Sequence, residues 1–187
     1  AYQSRSVPFG TDLLFRLGDV SFGIELCEDL WAPIPPSSTL ALRGAEVIFN
    51  LSASNETIAK RAYRRGLVSM QSAAQLGAYV YVSAGCTEST TDLIFSGHSI
   101  ICESGKILRE NAKTIDTDYV LCADLDLGRL RADRLKNKTF SQSAALCRRD
   151  VRTVCAEALP APDDFSYYPL EKMPFVPHSE ADRQKRC

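Results

Sequence analysis

Histidine is scarce in this sequence: only His98 and His178 occur among 187 residues, and no Cys-x-x-Cys pair accompanies the seven cysteines. A zinc site built from Cys and His at the usual short spacings is therefore not expected. The cysteines fall at positions 27, 86, 102, 122, 147, 155 and 187, an odd number without a pairing pattern, which argues for reduced thiols and a cytoplasmic setting. A surplus of either charge is also missing. Twenty-two basic residues against twenty-three acidic ones leave a formal charge of −1, so there is no field for a phosphate backbone and no nucleic-acid partner is expected. Apolar runs such as 78–82 fall far short of the roughly 20 residues a spanning helix requires, so no membrane partner is expected either. No internal repeat, low-complexity tract or Gly-x-x-x-x-Gly-Lys phosphate loop is present. The opening Ala1-Tyr2-Gln3-Ser4 lacks an initiator Met and the pattern of a signal peptide, and reads as a cut inside a longer chain.

What remains is ordinary globular material, 45% hydrophobic and 24% charged, with an α/β rhythm. Residues 12–17 and 20–26 are short apolar-rich runs around Gly18-Asp19, which predicts a hairpin. Ser37 or Ser38 can cap a short helix through Leu42, Gly44 stops it, and 46–51 reads as a mostly buried strand, so a parallel pair with a crossover is expected. The loop 52–55 supplies helix caps, and from Thr57 to about Gln75 the residues Ala59, Tyr63, Leu67, Met70 and Ala74 recur at helical spacing. A strand over 78–84 follows, then a polar loop over 85–92, a hairpin from 95–102 and 106–110 around Glu103-Ser104-Gly105, and one more strand over 119–126. A charged helix runs from Asp126 or Leu127 toward Lys136. The sheet is thus expected to be mixed, and the proline-punctuated stretch from residue 160 reads as a connector.

In open α/β sheets ligands gather at the carboxyl ends of strands, and three loops meet that condition: 27–36, 52–56 and 85–92. Cys27 sits at a strand end before a polar turn, where a thiol can face a pocket while adjacent backbone N–H groups face a developing oxyanion. Cys86 also follows a strand, and position alone does not separate the two. A structural thiol is the commoner role for such a residue. Lys60, Arg61, Arg64 and Arg65 crowd positive charge into the first turns of a helix, either to meet an anion or as a solvated face balanced by Glu56 and counterions. His98, in a predicted strand, could in principle pair with Cys27 as a dyad, but no papain-like signature surrounds them.

The string Gly23-Ile24-Glu25-Leu26-Cys27-Glu28-Asp29-Leu30-Trp31, followed by Pro33-Ile34-Pro35-Pro36-Ser37, resembles the nitrilase superfamily of carbon–nitrogen hydrolases. With residues 44–58 and Glu88-Ser89-Thr90-Thr91-Asp92, the likeness narrows to the amino-terminal glutaminase domains of glutamine-dependent NAD synthetases, and Tyr168-Pro169-Leu170 through Pro177 is similar to the connector that follows those domains. The resemblance implies a nitrilase-like αββα sandwich represented by its later strands and helices, with residues 1–159 as the carboxyl-terminal part of that domain and 160–187 as a connector toward an absent synthetase domain.

It further implies that Cys27 attacks the side-chain amide of glutamine and releases ammonia for ATP-dependent amidation of deamido-NAD. The backbone N–H of Glu28 would serve as an oxyanion donor, Trp31 as a wall of the glutamine pocket, and Ser54 and Lys60 as contacts to the charged ends of the substrate. Glu28 could instead cap the following turn, and Trp31 could pack under residues 33–36. The family's general-base glutamate and oxyanion lysine lie upstream of its nucleophile. The 26 residues before Cys27 contain no lysine and one glutamate, Glu25, which belongs to a different motif position, so the isolated segment is expected to be inactive. ATP and magnesium belong to the synthetase domain, none is expected in this segment, and a homo-oligomer is implied. The alternatives are a nitrilase-type hydrolase of another small amide and a non-catalytic nitrilase-like scaffold.

Overall fold

A computed structural model describes residues 6–111, 119–157 and 166–167. Strands β1 (Leu13–Leu17) and β2 (Val20–Leu26) form the expected antiparallel hairpin, closed by Gly18 at φ +61°. From β2 the chain passes through a 3-10 turn (Cys27–Trp31) and helix α1 (Pro36–Leu42) into β3 (Val47–Ser52), then through α2 (Lys60–Ala74) into β4 (Ala78–Ser83). β2, β3 and β4 run parallel, so their carboxyl ends open on one rim. The antiparallel pair β5 (Ile100–Glu103) and β6 (Lys106–Glu110) extends one side of the sheet. Helices α3 (Leu127–Lys136) and α4 (Lys138–Leu146) and strand β7 (Arg152–Ala156) complete the described chain. The order across the mixed seven-stranded sheet is β6-β5-β4-β3-β2-β1-β7.

Strand periodicity sorts the side chains onto two faces. On one, Ile48, Tyr79, Tyr81, Ile100 and Cys102 pack with Leu40 of α1 and Val68 of α2 as the main core. On the other, Leu130 of α3 packs with Val47 and Ala78, and Val20, Phe22, Phe49 and Val80 lie half-buried against this smaller cluster. The helix is pinned there by Arg131 on the Glu46 carboxylate, by Arg129 on Glu103, and by Arg134, which donates to the carbonyls of Ala45, Gln75 and Leu76. Beyond that cluster the face is bare: Leu17, Ile24 and Leu51 are exposed along a trough of about 900 Å³, and Leu26 and Val82 are exposed as well. A sheet face this apolar ordinarily packs on another layer.

Several sequence expectations need correction. Residues 119–126 form no strand; Tyr119 is tied by its hydroxyl to the Gly97 carbonyl and to Ser99, while Asp126 accepts from the Arg129 amide as the cap of α3. The strand expected over 95–102 is ordered as one only from Ile100, because Gly97 at φ +63° turns the chain and Phe95 makes only an isolated bridge to Asn55. α2 begins at Lys60, after Ala59 at φ +67°, without a side-chain cap, so the 52–55 hydroxyls and amides serve other ends. α1 starts on Pro36 rather than under a serine cap, its fixed φ suiting the first helical position. Of the apolar stripe read along α2, Leu67 packs against the core but Tyr63 and Met70 are exposed, whereas Arg64, Val68 and Ser72 are buried. α4 and β7 were not anticipated, since β7 is largely exposed and carries no apolar alternation. The connector over 160–187 lies outside the described residues except for 166–167.

Gly23 permits the close approach of α1 to β2. A Cβ there would stand 2.8 Å from Leu40 Cδ1 and 3.2 Å from Ile48 Cδ1. Gly23→Val is expected to lower the unfolding free energy by about 1–3 kcal/mol, read as a reduced urea midpoint at unchanged slope.

Candidate active site

Strand β2 ends at Leu26, and the next residue, Cys27, is held at φ +41°, a conformation that a residue with a Cβ adopts at a cost of about 1–3 kcal/mol. Three bonds hold this elbow. The Leu26 amide donates to Asp29 Oδ2 at 2.9 Å, and Asn50 Nδ2 donates to the Cys27 carbonyl at 3.3 Å. Ser52 Oγ in turn donates to Asn50 Oδ1 at 2.7 Å, which fixes the amide so that its NH2 faces the elbow. Cys27 is a half-buried free thiol at the wall of a cavity of about 410 Å³.

That cavity is lined by Cys27, Glu28 and Trp31 from the 3-10 turn, by Ala53, Ser54 and Asn55 from the loop after β3, and by Lys60 from the first turn of α2. All five residues nominated from sequence meet there. Trp31 also packs edge-on against Tyr81, with ring centroids 6.5 Å apart, so its wall position and its packing role coexist. Glu28 is on the cavity, while the neighbouring Asp29 makes the bond across the turn. Lys60 Nζ donates to Asn55 Oδ1 at 2.6 Å, and no carboxylate among the described residues pairs with it. Among the described residues no carboxylate thus stands within ion-pair distance of this charge at the cavity. The basic run is otherwise consumed internally: Arg61 and Arg65 pair with Glu110 at 3.1 and 3.0 Å, and Arg64 pairs with Glu56 at 3.1 Å.

The third strand-end loop does not reach this cavity. Residues 88–92 are exposed and self-bonded, with Ser89 Oγ accepting from the Phe95 amide at 3.0 Å and Thr90 Oγ1 from the Leu93 amide at 3.1 Å. Cys86 lines a separate cavity of about 470 Å³ beside β4. Glu25, left unassigned as a base, is fully buried and accepts from the Ser37 amide at 2.8 Å and from the Tyr79 hydroxyl. It ties α1 to the sheet.

His98 forms no dyad with Cys27, because both of its ring nitrogens are engaged elsewhere, Nδ1 with Arg64 at 2.9 Å and Nε2 with Glu110 at 3.0 Å. Burial pushes the imidazole down to about 4, with Arg61 and Arg64 adding to the shift and the bond to Glu110 opposing it. Burial would raise the Glu56 and Glu110 carboxyls, but the bonds from Ser96 and Arg64 to the first, and from Arg65 and His98 to the second, hold both below their usual range. A pH signature follows. Between the unfolded value near 6.5 and about 4, the unfolded chain binds a proton at His98 that the folded chain does not. This contribution is therefore complete above pH 6.5 and is lost as pH falls toward 4, on the order of 3 kcal/mol. Unfolding free energies from urea titrations at pH 7 and 4.5 are expected to show it, and His98→Leu is expected to flatten the slope in that window.

Sequence reasoning missed Asn50, Asn55 and the burial of Arg64. An amide inside the apolar string Val47-Ile48-Phe49-Asn50-Leu51 was a usable signal, since a polar group on the core side of a strand needs a partner. Among the described residues no cluster of His, Cys, Asp and Glu is arranged to hold a metal, and no helix is long and apolar enough to cross a membrane.

Residues 2–135 match the carbon-nitrogen hydrolase family. The glutamine-dependent NAD(+) synthetase of Mycobacterium tuberculosis (strain ATCC 25618 / H37Rv) is 39% identical over 188 residues, covering 97% of this chain and 28% of that protein. The same enzyme of Mycobacterium leprae (strain TN) is 37% identical over 187 residues, covering 96% of this chain and again 28% of the relative. The chain thus spans just over a quarter of the length of these relatives. Among solved structures, the carbon-nitrogen hydrolase of Helicobacter pylori G27 superposes with a TM-score of 0.56 over 75% of this chain and 53% of its own, at 18% identity, a likeness of fold.

Proposed function

Because this chain belongs to the carbon–nitrogen hydrolase family, we propose that it forms the carboxyl-terminal part of the glutaminase domain of a glutamine-dependent NAD synthetase and carries that domain's nucleophile. The observation that supports this reading best is the convergence of Cys27, Glu28, Trp31, Ser54 and Lys60, from three separate chain segments, on one polar cavity at the carboxyl ends of parallel strands.

In this reading glutamine enters with its side-chain carboxamide toward Cys27 and its charged end toward Ser54 and Lys60. The unpaired ammonium of Lys60 suits an α-carboxylate. The Cys27 sulfur attacks the amide carbon, and negative charge builds on the carbonyl oxygen, where the Glu28 N–H, at the leading turn of the short helix, can donate. The C–N bond then breaks, and ammonia leaves with a proton from the general acid. Water hydrolyses the remaining glutamyl thioester to glutamate and returns the thiol. A glutamate as general base and acid and a lysine at the oxyanion are required besides Cys27. They are expected from strands upstream of residue 1, whose sheet would also cover the bare face.

Residues 160–187 then serve as the connector to a synthetase domain, where ATP and magnesium drive the ligation of ammonia onto deamido-NAD. The residues described offer no Gly-rich loop for a nucleotide, and no step of that ligation is assigned to them. A cytoplasmic homo-oligomer completes the proposal.

The test uses the full-length protein that contains this chain. It is expected to release ammonia from glutamine and to be modified at Cys27 by a glutamine-mimicking electrophile, read by mass spectrometry of the peptide. Turnover of a different small amide with glutamine inert would replace the substrate, and absence of both turnover and labelling would favour a scaffold.

A further inference from the structure

Arg64 is a guanidinium with no solvent exposure, one turn along α2 from Lys60 and therefore on the same side of the helix. Burying a charge at this depth is costly unless its donors are answered; here both terminal nitrogens are, while Nε has no partner among the described residues. Nη1 donates to Glu56 Oε2 at 3.1 Å and to His98 Nδ1 at 2.9 Å, Nη2 donates to Ser54 Oγ at 3.5 Å, and the Tyr81 ring lies 5.7 Å from Cζ. Because a guanidinium can only donate, His98 Nδ1 must accept, so the imidazole carries its proton on Nε2 and donates it to Glu110 Oε1 at 3.0 Å. The relay thus runs from Glu110 on β6 through His98 and Arg64 to the loop after β3, and it touches that loop on both sides of Asn55. Glu56 is fastened independently, by Ser96 Oγ at 2.6 Å and by its own amide to the Ile94 carbonyl at 2.7 Å.

We propose that Arg64 is a positioning residue for substrate binding: it fixes the Ser54–Glu56 arc and, by occupying a lone pair of Ser54 Oγ, directs the Ser54 hydroxyl proton toward the Cys27 cavity. Ser54 and Asn55 both line that cavity, and Asn55 in turn receives Lys60 Nζ, so a shift of this arc displaces two polar contacts and the cation together. Lysine cannot replace Arg64, since one ammonium on a flexible stem does not span Glu56, His98 and Ser54 in a planar fork. The role rests on the glutaminase reading only for the identity of the substrate.

The experiment compares Arg64→Lys, His98→Leu and His98→Asn with the unaltered full-length protein, measuring ammonia release against glutamine concentration and the rate of Cys27 alkylation by iodoacetamide. Arg64→Lys is expected to raise KM for glutamine at least tenfold, with kcat within threefold and alkylation within twofold. An unchanged KM overturns the proposal. So does a fall of kcat and alkylation together at constant KM, which is the signature of a general structural role. Should Arg64→Lys fail to fold, His98→Leu keeps the guanidinium but removes its acceptor. It is expected to raise KM at least threefold, and His98→Asn, whose Oδ1 can stand near Nδ1, is expected to recover half or more of that change. No KM change in His98→Leu is equally fatal to the proposal. A protein alkylated at Cys27 that ignores glutamine but hydrolyses another amide overturns the glutaminase reading instead, and the same KM comparison on that amide then decides the relay.

Discussion

Replacing Cys27 with alanine in the full-length protein is expected to lower ammonia release from glutamine by roughly 10⁴-fold or more, the scale on which covalent catalysis fails when its nucleophile is removed. Cys27 is the thiol on the cavity, and the hydroxyl there, on Ser54, already accepts from Arg64 and has no neighbouring base among the described residues. Cys27→Ala should also leave the elbow intact. The bonds that hold it, from the Leu26 amide to Asp29 and from Asn50 to the Cys27 carbonyl, do not involve sulfur. The loss should therefore appear in kcat without a loss of thermal stability, and ATP-dependent NAD formation fed with free ammonia should persist. Residual glutamine hydrolysis within tenfold of the unaltered protein would remove Cys27 from the mechanism.

How much of this site could be read from the chain depends on how local its causes are. The hairpin at Gly18-Asp19 and the strands on either side of α1 and α2 follow from runs of neighbouring residues, and they appear with ends shifted by a few positions. Cys27, Glu28, Trp31, Ser54 and Lys60 could be grouped as a candidate site from sequence because they follow the ends of two strands, β2 and β3, that a parallel pairing brings to one rim. What was not legible depends on partners distant in sequence. The inward face of α2 is set by Glu56, Ser96, His98 and Glu110, so its buried side carries an arginine while Tyr63 and Met70 face out. Residues 119–126 have strand-like composition, yet Tyr119 is drawn to Gly97 and Ser99, and Asp126 to Arg129 and Glu103. β7 is a strand only because β1 offers it an open edge, reinforced by Arg152 on Asp12 at 2.8 Å.

The elbow and the arc beneath the cavity are two separate devices with different consequences. Asn50 and Asp29 act on the main chain of Cys27 and so set where the sulfur stands. Arg64 acts on Ser54 and Glu56 and so sets where the far end of a substrate is met. Disturbing the first should change reaction at the carbonyl, and disturbing the second should change affinity. That division is why KM and kcat are expected to respond separately at Arg64 and Cys27.

The chain of 187 residues on its own is expected to hydrolyse glutamine at less than roughly a thousandth of the full-length rate. General acid–base help is worth about 10²–10⁴ in rate, and one oxyanion donor about 10²–10³, so without the glutamate and lysine that the proposed mechanism requires, little would remain beyond a half-buried thiol. Among the described residues, the charged groups on the cavity are Glu28 and Lys60, and Lys60 is drawn to Asn55 at 2.6 Å on the far side from the reacting carbonyl in the proposed pose. Glu25, although close in sequence, is buried under Ser37 and Tyr79 and cannot turn toward the cavity without breaking those bonds. Alkylation of Cys27 by iodoacetamide needs only an accessible sulfur and should persist, which separates a missing catalytic partner from a misfolded elbow. The bare sheet face adds a second signature. With Leu17, Ile24, Leu26, Leu51 and Val82 exposed, the isolated chain should bind an apolar fluorescent dye and form polydisperse aggregates, whereas the full-length protein should bind little dye and form at most a defined oligomer. Glutamine turnover by the isolated chain at the full-length rate would mean that the general base and the oxyanion cation lie among these residues after all, with Glu28 and Lys60 the first to be substituted.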